Sequence, residues 1–265
     1  MREDILLLLP AVILFTFLMI YPLIYTTFLS LQNFENFRRL IFEPAIKTIY
    51  INVLVFSIAS VLLSMGIGLA IALCLNEQIK YRNFLRAFVT LPWGISPAVT
   101  VVLFYSWFEP RYGILNSIFS FIFGRIPWFT EYALITFILI AAWRFAPFQV
   151  LGILAALQSI PNVYYEAAQI DGANAFQRFL KITLPLISPT MVVLFLMQLM
   201  WRINHFELPQ ILTGGGPGYS THLPATFAYM QIYLLNDAPY GATILFATLL
   251  IVCSICFLII RKMRL

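Results

Sequence analysis

The sequence predicts an all-α, polytopic membrane protein with six transmembrane helices, and three observations predict it. Hydrophobic residues make up 62% of the 265-residue chain and charged residues 10%, with a mean hydropathy of +0.91. A soluble domain is nearer half apolar and a quarter charged, so lipid must solvate much of this exterior. Six apolar runs reach the length of about 20 residues needed to cross roughly 30 Å of hydrocarbon. The basic residues stand at the ends of these runs rather than along one face.

The runs cover residues 5–31, 51–75, 84–107, 133–157, 183–203 and 242–260. The first does not read as a signal peptide, because Met1-Arg2-Glu3-Asp4 carries no positive excess and the apolar stretch outlasts an h-region. Prolines interrupt several runs: Pro10 and Pro22 in the first, Pro92 and Pro97 in the third, Pro147 in the fourth. Each removes a backbone hydrogen bond that neighbouring helices or a polar cavity must replace. The pieces 114–123 and 225–235 are too short to span and are expected at the interface or as re-entrant helices.

The whole chain reads as a single transmembrane domain, 1–265, with no soluble domain, no low-complexity tract and no internal repeat. Six spans put both termini on the side of the second–third and fourth–fifth loops. That side carries nine basic residues: Arg2, Lys80, Arg82, Arg86, Arg178, Lys181, Arg261, Lys262 and Arg264. The other carries five: Arg38, Arg39, Lys47, Arg111 and Arg125. The positive-inside rule places both termini in the cytoplasm.

The net charge of +5 and pI near 9.2 come from these flanks, so they point to topology and anionic lipid, not to nucleic acid. Cys74, Cys253 and Cys256 all lie inside apolar runs. The last two have i, i+3 spacing, which on a helix makes them packing neighbours rather than a metal or redox pair.

The most informative segment lies in the fourth–fifth loop, at about 159–182. Pro161 and Asn162 open a helix, with Asn162 expected as its cap. Glu166, Ala167 and Ala168 follow, then Gln169, Ile170 and Asp171, and Gly172 permits a sharp turn. A second short helix carries Phe176, Arg178, Phe179 and Lys181 before Ile182-Thr183-Leu184-Pro185. The two small alanines allow a close approach, and Glu166 and Asp171 offer carboxylates to a basic partner. Without such a partner the same pattern is an amphipathic helix on the membrane surface.

This segment resembles the EAA loop of binding-protein-dependent ABC importer permeases. Glu-Ala-Ala, a glycine after three residues and then nine residues to Ile-x-Leu-Pro are all present. The resemblance implies a type I importer permease in which Glu166, Ala167, Ala168, Asp171 and Gly172 couple to a cytoplasmic ATPase subunit. It also implies the partners: a second homologous permease, two ATPase subunits and an extracytoplasmic solute-binding protein. This chain then holds no cofactor and is no enzyme, since ATP and Mg belong to the ATPase partner.

Leu212-Thr213-Gly214-Gly215-Gly216-Pro217 is glycine-rich, but the Lys-Ser/Thr of a phosphate-binding P-loop does not follow it. It resembles the Thr-x-Gly-Gly-Pro stretch of the maltose- and glycerol-phosphate-like first permease of the carbohydrate-uptake subfamily. Import of a sugar-like solute is what that resemblance implies.

Charge inside a span needs a partner or water, and its default reading is functional. Gln198, Arg202 and His205 recur at i, i+4 and i+7 on the fifth run, and Glu207 follows. Trp143, Arg144 and Phe148 cluster on the fourth. Planar polar groups with aromatic faces suit a sugar, so Trp143, Arg144, Gln198, Arg202, His205 and Glu207 are candidates for a solute pathway. The competing reading of the arginines is an interhelical Arg–Glu pair or snorkelling from a helix end. His222, in an outer loop, is expected to be solvated. The rival function is a proton-coupled secondary transporter, for which His205 and Glu207 are the available relays. A membrane-embedded enzyme finds no paired carboxylates, metal spacing or nucleophile–base set in the sequence.

Overall fold

The computed structural model of the chain describes residues 2–77 and 80–263, with side chains for 8–77, 80–122, 124–259 and 261. Within it the regular elements are helices, and five are long and apolar enough to cross a membrane, or six if one bent pair is a single span.

The first span joins α1 (Arg2–Phe15) to α2 (Tyr21–Leu31) through a π turn at Thr16–Ile20. Pro22 has no N–H to return to the preceding turn, and the wider turn before it lets the helix run on. The most apolar window of this span has no buried residue. α2 leans on α14, where Thr243 Oγ1 donates to the Ser30 carbonyl at 3.4 Å.

The short α3 (Glu35–Phe42) turns the chain into α4 (Pro44–Asn76), whose 33 residues make a rod about 50 Å long. Its main neighbour is α8 (Ala133–Gln158). Gly68 makes the approach possible, because a Cβ there would stand 2.5 Å from the Gln149 Cβ. Gly152 does the same for α11 (Leu184–Ile203): a Cβ would meet Leu194 at 2.6 Å.

Between α4 and α8 the third run, 84–107, which the sequence shows interrupted by Pro92 and Pro97, bends far more sharply than a proline kink. It is broken into α5 (Arg82–Gly94) and α6 (Pro97–Phe108), which meet at 93°. The cause is local. A residue before proline is pushed out of the helical region, and Ser96 is extended at ψ 150°. Its Oγ then accepts the Val99 N–H at 3.3 Å and starts a new helix. Hydropathy sees length, not direction, so the break was invisible to it. The short helix α7 (Ile114–Phe123) follows.

Beyond α8 come α9 (Val163–Ile170) and α10 (Ala175–Arg178), and α10 runs through a π turn at Phe179–Thr183 straight into α11. The return to the last span, α14 (Ala238–Met263), contains α12 (Glu207–Leu212) and α13 (Pro224–Tyr229). Three apolar clusters lie along the bundle. One centres on Phe56, Phe104, Phe137 and Leu199, and one, toward the α9 end, on Ala72, Ile153, Leu157 and Ile187. The third gathers Ile49, Phe227, Tyr240 and Ile244 beside α13. Cys74 and Cys253 are exposed and Cys256 half-buried, each as a free thiol.

Candidate functional site

Two regions bring the sequence-predicted residues together: the loop around Gly172 and a cleft beside the broken span.

At the loop, α9 closes with a Schellman turn. Gly172 adopts φ +77°, its N–H donates to the Gln169 carbonyl at 3.0 Å, and the Ala173 N–H reaches the Ala168 carbonyl at 2.9 Å. Asn162 stands at the helix start but does not cap with its side chain; its carbonyl instead accepts from Tyr165 and Glu166 N–H. The side-chain cap that the sequence reading assigned to Asn162 belongs to the next helix. There Asn174 Oδ1 accepts from Gln177 N–H, and Gln177 Oε1 accepts from Asn174 N–H, both at 2.9 Å. This capping box was legible as Asn-x-x-Gln and was missed.

Tyr165 anchors α9 inward through a 3.0 Å hydroxyl contact with Thr183 at the base of the fifth span. The opposite face, with Glu166, Ala167, Ile170 and Asp171, is exposed, and Ile170 is 87% accessible. A helix tied at one side and bare at the other, with an apolar residue beside two carboxylates, has the form of a docking surface. Ile170 was not among the sequence candidates, because only the folded helix shows which face it takes.

The cleft holds about 620 Å³ and is lined by Pro97, Arg144, Phe145, Met197, Met200, Trp201, Asn204, His205 and Glu207. Arg144 is 7% exposed and ties the broken span together, donating to the Ile95 carbonyl and to Thr100 Oγ1. His205 stacks on Phe56 and meets Phe145 edge-on, with Glu207 3.6 Å from its Nδ1 and no hydrogen-bond partner on its buried Nε2.

Of the other candidates, Arg202 and Gln198 lie behind the lining. Arg202 is fully buried, donates to the Ala141 carbonyl at 3.1 Å, and places its guanidinium 3.9 Å from the centre of the Phe145 ring. Gln198 reaches the Phe145 carbonyl at 3.5 Å. Trp143 turns away from the cleft and packs on Phe104. The Arg–Glu pair weighed for these arginines is not formed among the described residues. Phe145, Trp201 and Asn204 enter the lining unforeseen, since α8 and α11 have to be docked before their faces are known.

The glycine-rich segment is a folded buckle. Thr213 and Thr221 share a 2.8 Å hydroxyl contact, Thr221 donates to the Gly216 carbonyl, and Asn52 of α4 holds the Tyr219 carbonyl at 3.0 Å. His222 is 3% exposed and bonded to Thr226, which corrects the solvated position expected for it. It fits because Gly215 has no Cβ; one there would stand 2.1 Å from the ring.

Both regions now have a family. The model of the "Binding-protein-dependent transport system inner membrane component" family matches residues 63–263, which include the loop, the cleft and the buckle. The chain belongs to that family. It is the permease, the membrane component of an ABC importer, and a transport subunit rather than an enzyme. It is a multi-pass protein of the inner membrane.

The permease is 32% identical to the sulfoquinovosyl glycerol transport system permease protein SmoG of Agrobacterium fabrum, over 97% of this chain and 90% of that protein. It is 38% identical to the trehalose/maltose transport system permease protein MalF of Thermococcus litoralis, over 75% of this chain and 68% of that one. A bacterial ABC transporter involved in the import of the acidic polysaccharide alginate contains a chain that superposes with a TM-score of 0.82. That match has 26% identity and covers 99% of this chain and 96% of the other. A second structure, of the alginate transporter with its pentasaccharide-bound periplasmic protein, gives 0.76 and 28%, over 96% of this chain and 93% of that one.

Proposed function

We propose that this permease forms one half of the membrane pathway of a sugar importer. A solute handed over by an extracytoplasmic binding protein would cross between this chain and a second homologous permease. Two cytoplasmic ATPase subunits would hold the ATP and Mg and supply the stroke through the α9 loop. Both termini face the cytoplasm, as the excess of basic residues on that side supports. The observation that carries the reading is the geometry at Gly172, where a Schellman turn fixes an exposed helix bearing Glu166 and Asp171 at the base of the fifth span.

The cleft supplies the sugar side of the proposal. A flat indole at Trp201, planar polar groups at Arg144, Asn204 and His205, and a volume of about 620 Å³ suit a ring of hydroxyls entering from a membrane pathway. The solutes named for the relatives differ from one another, so they support the class of sugars and no single member.

The test is ATP-driven uptake by the whole importer in proteoliposomes. A panel of trehalose, maltose, glycerol 3-phosphate and uronic-acid disaccharides should contain a solute that accumulates only with ATP and the loaded binding protein. No ATP-dependent uptake across the panel would overturn the proposal.

A further inference from the structure

The cleft carries an imbalance of charge. Arg144 and Arg202 stand on adjacent helices within the bundle, and among the described residues neither meets a carboxylate at ion-pair distance. Arg144 spends its hydrogen bonds on a carbonyl and a hydroxyl, and Arg202 on a carbonyl and an aromatic face. Glu207, the one acid in the lining, is turned to His205. Arg144 in the lining and Arg202 behind it, against the one carboxylate of Glu207, leave net positive charge beside the cleft, where intramembrane charge is ordinarily paired.

Two further features point the same way. The break at Ile95–Ser96 leaves the N-terminal end of α6 at the cleft, where Pro97 is part of the wall. The positive end of a helix dipole at the middle of a broken span is a seat for a negative group. Independently, Arg144 is 7% exposed and lines the cleft, and Nη1 is the nitrogen that bonds to Ile95 and Thr100, which leaves the rest of its guanidinium for a group in the cleft.

We infer that the solute of this permease is an acidic sugar. Its carboxylate, sulfonate or phosphate seats between Arg144 and the start of α6, and its ring lies against Trp201. The inference rests on the import reading above and adds the charge of the cargo to it.

The experiment uses the complete importer, with its ATPases and binding protein, in proteoliposomes. The probes are a uronic-acid disaccharide and the same disaccharide with its carboxyls reduced to alcohols. The readout is the ratio of their uptake rates, which an overall loss of assembly does not move. Wild type should favour the acid by about tenfold or more, the usual scale of one charge-assisted contact. Arg144→Gln keeps an N–H donor for Ile95 and Thr100 but loses the charge, and should lower the ratio by about tenfold. Arg144→Lys keeps the charge and should keep the preference.

A wild-type preference for the neutral sugar, or an unchanged ratio in Arg144→Gln, would overturn the inference while leaving sugar import standing. Equal loss of both sugars in Arg144→Gln would also overturn it, by giving Arg144 a structural part alone. Failure of every sugar in the wider panel would instead overturn the import reading itself.

Discussion

Arg144 on α8 donates to the carbonyl of Ile95, the residue at which the third span breaks, and the same nitrogen reaches Thr100 Oγ1 at 2.7 Å on the far side of the break. One guanidinium therefore spans both halves of a helix bent by 93°. Arg144→Met removes every donor and leaves the half-buried Ile95 carbonyl without its partner, while Thr100 Oγ1 keeps its bond to the Ser96 carbonyl. That should cost about 1–3 kcal/mol. Thermal unfolding of the purified complex in detergent should show a lower midpoint for Arg144→Met, partly regained in Arg144→Gln. A wild-type midpoint for the methionine variant would show that the break holds without its bridge.

The turn that ends α9 gives a second prediction. Gly172 sits at φ +77°, where a β-branched side chain is strained and asparagine is tolerated. No atom lies within 4 Å of a Cβ placed there, so the penalty is one of conformation and not of collision. Gly172→Val should therefore lower co-purification of the ATPase subunit, and Gly172→Asn should come close to wild type. Equal loss in both variants would mean that space, or contact with the partner, sets the requirement.

The glycine-rich buckle should respond to pH through His222. Burial lowers its pKa below the ordinary value of about 6.5. The folded buckle thus holds the neutral ring, and unfolding takes up a proton once the pH falls below that value. Its contribution to stability is present above about pH 6.5 and is lost as the pH falls below it. Hydrogen exchange over residues 213–222, corrected for intrinsic rates, should be faster at pH 5.5 than at 7.5 in wild type. His222→Gln should remove most of that difference. A pH-independent rate in wild type would contradict the neutral, buried ring.

The membrane orientation can be checked directly. In a cysteine-free background, a cysteine at Asn83 should be protected from an impermeant thiol reagent added outside, and one at Ser220 should be labelled. The opposite pattern would reverse the proposed orientation and remove the α9 loop from the ATPase side.

The spans were legible because apolar length is a local property: residues 51–75 and 242–260 lie inside α4 and α14. The loop at 159–182 was legible from residue spacing, and its helix, turn and second helix stand where the glycine puts them. What could not be read from the chain depends on packing. Ser96-Pro97 carries a helix-start signal, but a continuous apolar run hid the change of direction. His222 reads as a loop histidine until Gly215 opens a space for its ring. Trp143 and Trp201 look alike in sequence, and only the docking of α6, α8 and α11 sends one into an apolar cluster and the other to the cleft.

If ATP hydrolysis is coupled to transport at the exposed face of α9, Glu166 is the residue whose loss should uncouple them. The residue is exposed on a helix fastened by Tyr165 and Gly172, so Glu166→Ala should leave membrane insertion and loop geometry intact. It would remove one charge-assisted contact to the ATPase, worth about 1.5–3 kcal/mol, or roughly ten- to a hundredfold in affinity. The measurement is ATPase subunit recovered with the purified permease complex, together with ATP hydrolysis stimulated by the loaded binding protein. The account predicts that both fall together in Glu166→Ala, while the permease itself is recovered at wild-type yield. Full recovery of the ATPase subunit with wild-type stimulation would contradict it.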